Sequence, residues 1–503
     1  MTLYESLSTT SYSRRVFEVS HIAGFRRVRE TVFVLKNSAG HFHDWPVVCR
    51  GLIPAHDPIM KSKKYLSFTS LRKVVSTVFL ALTDMRRQKS VTHTLHDSMM
   101  SGLACMFFQE PSLLQFQRSM EDARHNNNLR TMFDVQSIPS DTQLGAILDP
   151  VADDWHRDVF RQFVNRLQRS NQLQDFQLFP GKYLVALDGT QYFSSEAIHC
   201  KQCLHKEHRD GTTTYQHFAL QASMMHPGKK QVIPMIAEDI RNTDGKIKQD
   251  CEANAAKRLI VKLRQNHPKM GIILGGDDLF SRNPMIENVK AEGMSFIFVA
   301  KPSSHTSMIK YLAAHQLSEC FEEGAAGSGT YYHYQWTNDV PLTGDKDSVR
   351  VNYFSRTVFT QDATRLFTIS KRQSWVTDIN VDASNVSMLV KGGLCRWKIE
   401  NECFNTLKNQ GYHLEHNYGH GEQNLSYNMY LLTLLAFFLH QIQELTEPLY
   451  QACRKKHGSK QHLWERLRTY IKILLFDDWE HLLEFALAPD KYLPERAHRT
   501  LSG

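Results

Sequence analysis

The chain has 503 residues, of which 42% are hydrophobic, and its 60 basic and 52 acidic residues give a net charge of +8. This composition excludes a largely disordered chain, and the length suggests two to four domains with buried cores. The nine cysteines are an odd number scattered along the chain, which argues against a disulfide framework and for a reducing compartment.

The first 66 residues show no sustained hydrophobic period, so we predict a poorly defined N-terminal arm at 1–66. Apolar residues then recur at three- and four-residue steps, which predicts a helical region at 67–175. Ser140 and Gln143 form an S-x-x-Q capping box, so one helix is expected to begin at Asp141. A short helix before it makes the pair either a helix-turn-helix or an ordinary helical hairpin.

At about residue 180 the hydrophobic period becomes that of strands, within a core predicted to span 176–302. The predicted order is three strands, a helix, a strand, a helix and a strand. The stretches concerned are, in that order, 183–193, 217–227, 231–240, 250–267, 271–278, 284–293 and 294–302. Helices between strands predict an α/β domain with a mixed, partly parallel sheet.

Three further segments complete the predicted organisation. Residues 303–390 alternate in hydrophobicity around a Gly-rich break, which predicts a β-rich insertion. Residues 391–445 contain a charged helix that completes the core, and residues 446–503 have a helical period. The apolar run at 430–439 is too short to span a bilayer and predicts a buried helix. Because no N-terminal signal is visible, we expect a cytoplasmic protein without a membrane partner.

Acidic residues follow two of the predicted strands, Asp188 after YLVAL and the pair Asp277 and Asp278 after GIILGG. Carboxylates at the carboxyl ends of neighbouring strands converge on one edge of a sheet. Oxygen ligands suit Mg²⁺ or Mn²⁺, and two such ions can bind the attacking and leaving oxygens of a phosphodiester. Glu400, on a later helix, is the candidate third carboxylate. The alternatives are a turn cap for each Asp and a surface ion pair with Arg396 for Glu400.

Three motifs, ALDGTQYF, ILGGDDLFSR and RWKIENECFNTLK, together resemble the bacterial insertion-sequence transposases that have a ribonuclease-H-like DDE catalytic core. The resemblance is to the branch with a β-rich insertion before the last acidic residue, and GYHLEHNYGHG is similar to one of its subgroups. It implies that Asp188, Asp277 and Glu400 are the catalytic triad and bind Mg²⁺ or Mn²⁺. Asp277 is preferred to Asp278 because the family pattern places an aromatic residue, here Phe280, three positions after the Asp.

That branch carries a Tyr-Arg-Glu-Lys signature around its Glu, and this chain departs from it twice. Arg396 matches, whereas Gly393 stands in place of the Tyr and Lys408 comes one residue late. In a regular α-helix a step of eight residues rotates Lys408 off the face of Glu400 by roughly 80°. We predict a regular helix here, and the alternative is a π-bulge that restores the register.

The resemblance also implies contacts with DNA. Arg396 is expected to hold a phosphate through a bidentate fork, and Lys398 and Lys408 are further candidate contacts. Trp336 and Trp375 in the insertion would stack on an unpaired base, or form part of a sheet core. Trp397 and Phe404 are expected to dock the catalytic helix on the core.

A second group of side chains is compatible with zinc. Cys200 and Cys203 form a C-x-x-C pair, and His205 and His208 follow closely, with His217 further on. The spacing matches no standard zinc finger, so a plain loop is the alternative to a structural zinc site. His413, His416 and His420 are candidates for contact with DNA phosphate or metal, or residues of a polar loop.

The function implied by the resemblance is that of a transposase. It would bind the terminal inverted repeats of its element through the region at 67–175 and cut double-stranded DNA at the element ends. It would then join these ends to target DNA. Two ends must be held together, so a homodimer on DNA is expected, located with the nucleoid when bound. The alternatives are a nuclease of the same fold without strand transfer, and an inactive DNA-binding protein derived from a transposase.

Overall fold

The computed structural model describes residues 13–15, 32–34, 65–87, 89, 91–121, 126–242, 249–361 and 367–491. Its contacts divide the chain into two compact units, 1–58 and 59–503. In the first unit, β1 (Ser13–Arg15) pairs antiparallel with β2 (Val32–Val34). The rest of the predicted arm lies outside the described residues, apart from Tyr65 and Leu66.

The region predicted to be helical has six α-helices in its described part. They are α1 (Phe68–Leu80), α2 (Leu95–Phe107), α3 (Leu113–Glu121), α4 (Asn126–Phe133), α5 (Asp141–Leu148) and α6 (Trp155–Arg169). The capping box is confirmed. The Ser140 hydroxyl accepts from the backbone N–H of Gln143 at 3.2 Å, and the Gln143 side chain accepts from the N–H of Ser140 at 3.1 Å. Helix α5 therefore begins at Asp141.

One mixed sheet of eleven strands follows, in the order β10-β11-β12-β13-β9-β8-β4-β6-β5, with β3 beside β4 and β7 beside β6. The strands are β3 (Gln177–Phe179), β4 (Lys182–Ser195), β5 (Leu204–Glu207), β6 (Thr213–Met225), β7 (Ile233–Ile240), β8 (Gly271–Gly276), β9 (Ser295–Val299), β10 (Ser318–Glu323), β11 (Thr330–Pro341), β12 (Arg350–Gln361) and β13 (Phe367–Thr377). The predicted mixed α/β class is confirmed. Sequence periodicity missed the short strands β3, β5 and β10.

The parallel part of the sheet is its buried centre. Strand β8 pairs parallel with both β4 and β9. Helix α7 (Glu252–Asn266) precedes β8, and α8 (Asn283–Ala291) connects β8 to β9. Ile272, Ile273 and Leu274 of β8 are all buried, as expected for a strand covered on both faces.

The β-rich segment extends this same sheet instead of forming a separate layer. Helix α9 (Thr306–Ala313) leaves the core, and β10 to β13 form an antiparallel meander. Strand β13 then pairs antiparallel with β9, with Trp375 opposite Val299. The insertion therefore returns to the point of the sheet that it left.

The C-terminal part is helical, as predicted. Its elements are α10 (Val386–Cys395), a π-helix (Ile399–Phe404), α11 (Asn405–Asn409), α12 (Leu425–Thr446), α13 (Pro448–His457), α14 (Lys460–Ile473) and α15 (Trp479–Leu487). Helix α12 is long and apolar enough to cross a membrane, but 94% of its apolar window is buried inside the protein. The predicted buried helix is confirmed.

The N-terminal and C-terminal helices share one hydrophobic core. The indole N–H of Trp155 donates to Asn428 on α12 at 3.0 Å. The Asn128 amide donates to the carbonyls of Ile471 and Leu474 at 2.8 and 2.7 Å. The boundaries predicted near residues 175 and 445 therefore lie inside one compact unit, 59–503.

Candidate active site

Asp188 and Asp277 lie at the same level of the sheet. The parallel pairing of β4 with β8 ends at Ala186 and Gly275, and each Asp comes two residues after the end of this pairing. Asp277 follows β8, as predicted, whereas Asp188 lies within β4, which continues to Ser195 paired with β6. Beyond this point the two strands no longer exchange hydrogen bonds, which opens a crevice at the carboxyl edge of the sheet. This is where ligands of open α/β sheets bind.

Arg396 connects the first and third predicted carboxylates. Its Nη1 atom donates to Oδ2 of Asp188 at 3.1 Å and to Oε1 of Glu400 at 3.0 Å. The Arg396 side chain is 11% exposed, whereas that of Glu400 is 41% exposed. The ion pair considered for Glu400 is therefore present, but it also includes Asp188, which is 208 residues from Arg396 in sequence.

Glu252, which sequence analysis missed, is a fourth carboxylate at the same place. It lies in the first turn of α7, and its Oε1 would be 2.0 Å from a Cβ atom on Gly189, the residue after Asp188. Helix α7 runs antiparallel to β8, which follows it in sequence, so the N-terminus of α7 lies at the level where the pairing of β4 with β8 ends. An acidic residue in the first turn of that helix was the available signal.

The four carboxylates repel one another. Burial, opposed by Arg396 and reinforced by Glu400 and Glu252, raises the pKa of Asp188 to about 7. Burial and the charge of Asp277 also raise the pKa of Glu252. Within the described residues, the ion pairs of these four carboxylates are the two made by Arg396. The site therefore carries an excess of negative charge.

The structure distinguishes Asp277 from Asp278. Asp278 is buried, and its Oδ1 accepts from the backbone N–H of Lys301 at 2.6 Å, with His305 at 3.5 Å. It therefore fixes the loop after β9. Asp277 accepts from the N–H of Leu279 at 2.9 Å and interacts with Glu252. The preference for Asp277 in the acidic cluster agrees with this geometry.

The predicted regular helix around Glu400 is wrong. Residues Ile399–Phe404 form a π-helix, whose turn contains about one residue more than an α-turn. In an α-helix two turns take about seven residues. With one π-turn included they take about eight, so Lys408, eight residues after Glu400, lies on the same face as Glu400. Its ammonium pairs with Glu415 at 2.8 Å.

Two other residues of this helix differ from expectation. The three donors of the Lys398 ammonium contact the carbonyls of His226, Pro227 and Lys229, so Lys398 fixes the β6–β7 turn and has no free donor for the expected DNA contact. Trp397 was expected to dock the helix, but it is 51% exposed and lies under the Arg396 guanidinium at 5.3 Å. Phe404 is buried, as predicted.

The two tryptophans of the insertion are buried in the sheet core, which was the alternative to stacking on a base. Trp336 is 8% exposed and Trp375 2% exposed, and Trp375 stacks on Phe354 with ring centroids 5.5 Å apart. A Cβ atom on Gly393 would lie 2.5 Å from Nε1 of Trp375. This contact explains why the position of the signature Tyr holds a glycine.

The zinc-like residues form a different set from the predicted one. The ligand atoms of Cys200, Cys203, His217 and His420 all lie within 4.8 Å of one another. His205 and His208 do not belong to the cluster. The backbone of His205 pairs with the Gln249 side chain, and His208 hydrogen bonds to Thr214 at 2.7 Å.

The comparisons with known proteins leave the site to be interpreted from its geometry. A scan against protein-family models found no match to this chain. A search of curated proteins likewise found no significant similarity.

Proposed function

We propose that this chain is a DDE transposase of an insertion sequence, built on a ribonuclease-H-like core. The observation that carries the proposal is the convergence of Asp188, Asp277 and Glu400, from three distant segments, on one edge of a mixed sheet. Asp188 lies on β4 and Asp277 directly follows the neighbouring parallel strand β8, and Arg396 joins Asp188 to Glu400. The resemblance of the three surrounding motifs to such transposases supports the same function.

The side chains fit a hard divalent cation. Asp188, Asp277 and Glu400 would hold Mg²⁺ or Mn²⁺, with Glu252 as a fourth oxygen donor. Burial, together with the neighbouring carboxylates, raises the pKa values of Asp188 and Glu252, and a bound cation would favour their charged forms. The bound ions would activate water and stabilise charge on the attacking and leaving oxygens of the scissile phosphate.

Arg396 is proposed to be a positioning residue rather than the predicted phosphate fork. Its Nη1 atom is shared by two carboxylates, and its side chain is largely buried. It would hold Asp188 and Glu400 at a fixed separation and reduce their repulsion. Lys408, on the same helical face as Glu400 and 24% exposed, is the better candidate for contact with a DNA phosphate.

The proposed substrate is double-stranded DNA at the two ends of the element, held together by a homodimer. A chain of charge +8 binds phosphates by counterion release, so its affinity should fall steeply with salt concentration. Since the helices of 67–175 share a core with α12 and α14, their deletion would unfold the protein. Replacement of the exposed Arg118 and Arg130 by Ala tests end binding instead.

The decisive experiment is cleavage of DNA that carries the sequences flanking the reading frame, in the presence of Mg²⁺. Asp188→Asn, Asp277→Asn and Glu400→Gln should each abolish cleavage and leave DNA binding nearly unchanged, because these residues hold metal. Glu402→Gln is the matched control, since Glu402 is exposed on the same π-helix. Full cleavage by any of the three variants would refute the assignment.

A second assay separates transposition from simple nuclease activity. A labelled end with a free 3′-hydroxyl, already cut, is incubated with plasmid DNA and the protein. Joined products identify a transposase. Cleavage without joining would identify a nuclease of the same fold, and binding without either reaction would identify an inactive derivative.

A further inference from the structure

Four side chains from three parts of the chain meet in a second cluster, away from the carboxylates. Cys200 and Cys203 lie in the loop between β4 and β5, His217 lies on β6, and His420 lies in the segment between α11 and α12. Cys203, His217 and His420 are 3%, 4% and 9% exposed. Phe193 covers the cluster, with its ring centroid 4.4 Å from that of His420.

The distances within the cluster are those of a tetrahedral coordination shell. Zinc binds sulfur at about 2.3 Å and nitrogen at about 2.0–2.1 Å, so tetrahedral ligands lie about 3.8 Å (S to S), about 3.6 Å (S to N) and about 3.3 Å (N to N) apart. The two Sγ atoms are 3.8 Å apart, and the two Nε2 atoms are 3.2 Å apart. Three of the four sulfur–nitrogen distances are 3.7, 3.3 and 3.4 Å.

A disulfide does not explain the cluster. The separation of the Cys200 and Cys203 sulfurs is far above the roughly 2.05 Å of a disulfide bond, and both cysteines are free thiols. Two reduced cysteines at this separation can both serve as ligands of one metal ion.

The surroundings orient the ligand atoms. The Nδ1–H of His420 donates to the carbonyl of Gly421 at 2.8 Å, which leaves the Nε2 lone pair directed at the cluster. The backbone N–H of Cys200 donates to Sγ of Cys203 at 3.4 Å. Such contacts fix the tautomer and direction of metal ligands.

We propose that Cys200, Cys203, His217 and His420 bind one structural zinc ion. Two sulfurs and two nitrogens in a tetrahedron select zinc among the common divalent metals, and four protein ligands leave no position for a reacting water. The site crosslinks Cys203 to His420, 217 residues apart. It attaches the segment that follows the catalytic helix to β6, which pairs with the strand of Asp188. This inference does not depend on the transposase proposal.

The test is the zinc content of the full chain, made without an affinity tag in zinc-supplemented medium and measured by atomic emission. We expect about one zinc ion per chain. Cys203→Ser and His420→Ala should lose most of it. His205→Ala and His208→Ala are matched controls that should retain it, because these neighbouring histidines do not face the cluster. Asp188→Asn should also retain it, which separates this metal from the proposed Mg²⁺.

Cobalt substitution provides a readout that does not require the variants to fold. The wild-type chain refolded with Co²⁺ should show the visible bands of a tetrahedral site and a thiolate-to-cobalt charge-transfer band. The proposal is overturned if the wild-type chain holds no more zinc than a Cys200→Ser, Cys203→Ser double variant. It is also overturned if the cobalt spectrum lacks the thiolate band, or if the two control variants lose as much zinc as Cys203→Ser.

Discussion

The carboxylate of Glu252 lies against the backbone of Gly189, where a Cβ atom would be 2.0 Å from Oε1. No side chain fits at residue 189 while Glu252 keeps this position. The contact brings the first turn of α7 to the residue that follows Asp188, and it adds a fourth carboxylate to the candidate active site.

We therefore expect Glu252→Gln to lower the affinity for Mn²⁺ by about 10- to 100-fold, the usual effect of losing a group that supports a metal site. The rate of DNA cleavage at a Mn²⁺ concentration below saturation should fall together with this affinity. Gly189→Ala should act in the same direction, because the added methyl displaces Glu252. Titration calorimetry with Mn²⁺ measures the effect, with Glu402→Gln as the control. Wild-type affinity in both variants would exclude Glu252 from the site.

A second prediction concerns the stability of the metal-free protein. Burial, with Arg396 opposing and Glu400 and Glu252 adding to it, raises the pKa of Asp188 from 3.8 to about 7. The folded protein thus holds a proton that the unfolded chain releases, so its stability falls as pH rises from about 4 to about 7. Asp188→Asn removes this penalty. In EDTA it should stabilise the protein by about 1–3 kcal/mol at about pH 8, and by little at about pH 4.

Thermal denaturation in EDTA and in Mn²⁺ checks this prediction. Mn²⁺ should raise the melting temperature of the wild type and have little effect on Asp188→Asn. The exposed Asp210 provides a control, and Asp210→Asn should respond to Mn²⁺ like the wild type. If Asp188→Asn instead destabilises the protein at about pH 8 in EDTA, the charged Asp188 carboxylate does not lower the stability of the folded state.

A third prediction follows from the π-helix. Because Lys408 lies on the face of Glu400, Lys408→Ala should slow cleavage roughly 10-fold or more, as expected for one lost charged hydrogen bond. Arg396→Lys should slow it comparably, since a single ammonium cannot reproduce the guanidinium between Asp188 and Glu400. Cleavage kinetics on one DNA substrate compare the two. Glu415→Gln is the control for the ion pair of Lys408. A fully active Lys408→Ala variant would limit Lys408 to that ion pair.

The fourth prediction concerns Gly393. Alanine in the middle of a helix normally stabilises it by roughly 0.5–1 kcal/mol relative to glycine. At Gly393 the methyl would collide with Trp375, so Gly393→Ala should instead destabilise by about 1–3 kcal/mol. Gly145→Ala on α5, where the nearest atom is 3.4 Å from the added Cβ, is the matched control and should be neutral or stabilising. Urea denaturation measures both, and equal effects at the two positions would contradict the contact.

Local patterns explain what could be predicted from the sequence. Strand and helix periods located the mixed α/β core, and the strand ends led to Asp188 and Asp277. Glu252 was missed because an acidic residue in a first helical turn is common for reasons of helix polarity alone. The late position of Lys408 raised the π-bulge as an alternative, but the hydrophobic period around Glu400 does not by itself distinguish a π-turn from an α-turn.

Long-range contacts explain the other errors. Trp336 lies on β11 and Trp375 on β13, and in both strands the side chains alternate between the two faces. The sequence does not show which of these faces another element covers. The zinc-like cluster needed His420, which is brought to Cys203 by the fold across 217 residues. His205 and His208 were nearer in sequence, but His205 is exposed on β5 and His208 pairs with Thr214.

Because β13 pairs with β9, the length of the β-rich segment can change without a change in the core sheet. Its entry at Val299 and its exit at Trp375 are cross-strand partners, so the chain between them begins and ends at one place. Changing the length of such a segment alters the loop-closure entropy only slightly, and it need not move the strands that carry Asp188 and Asp277. Since Trp375 also packs against Gly393, the exchangeable part ends before it. Chains with shorter or longer outer hairpins can therefore share the same arrangement of these carboxylates.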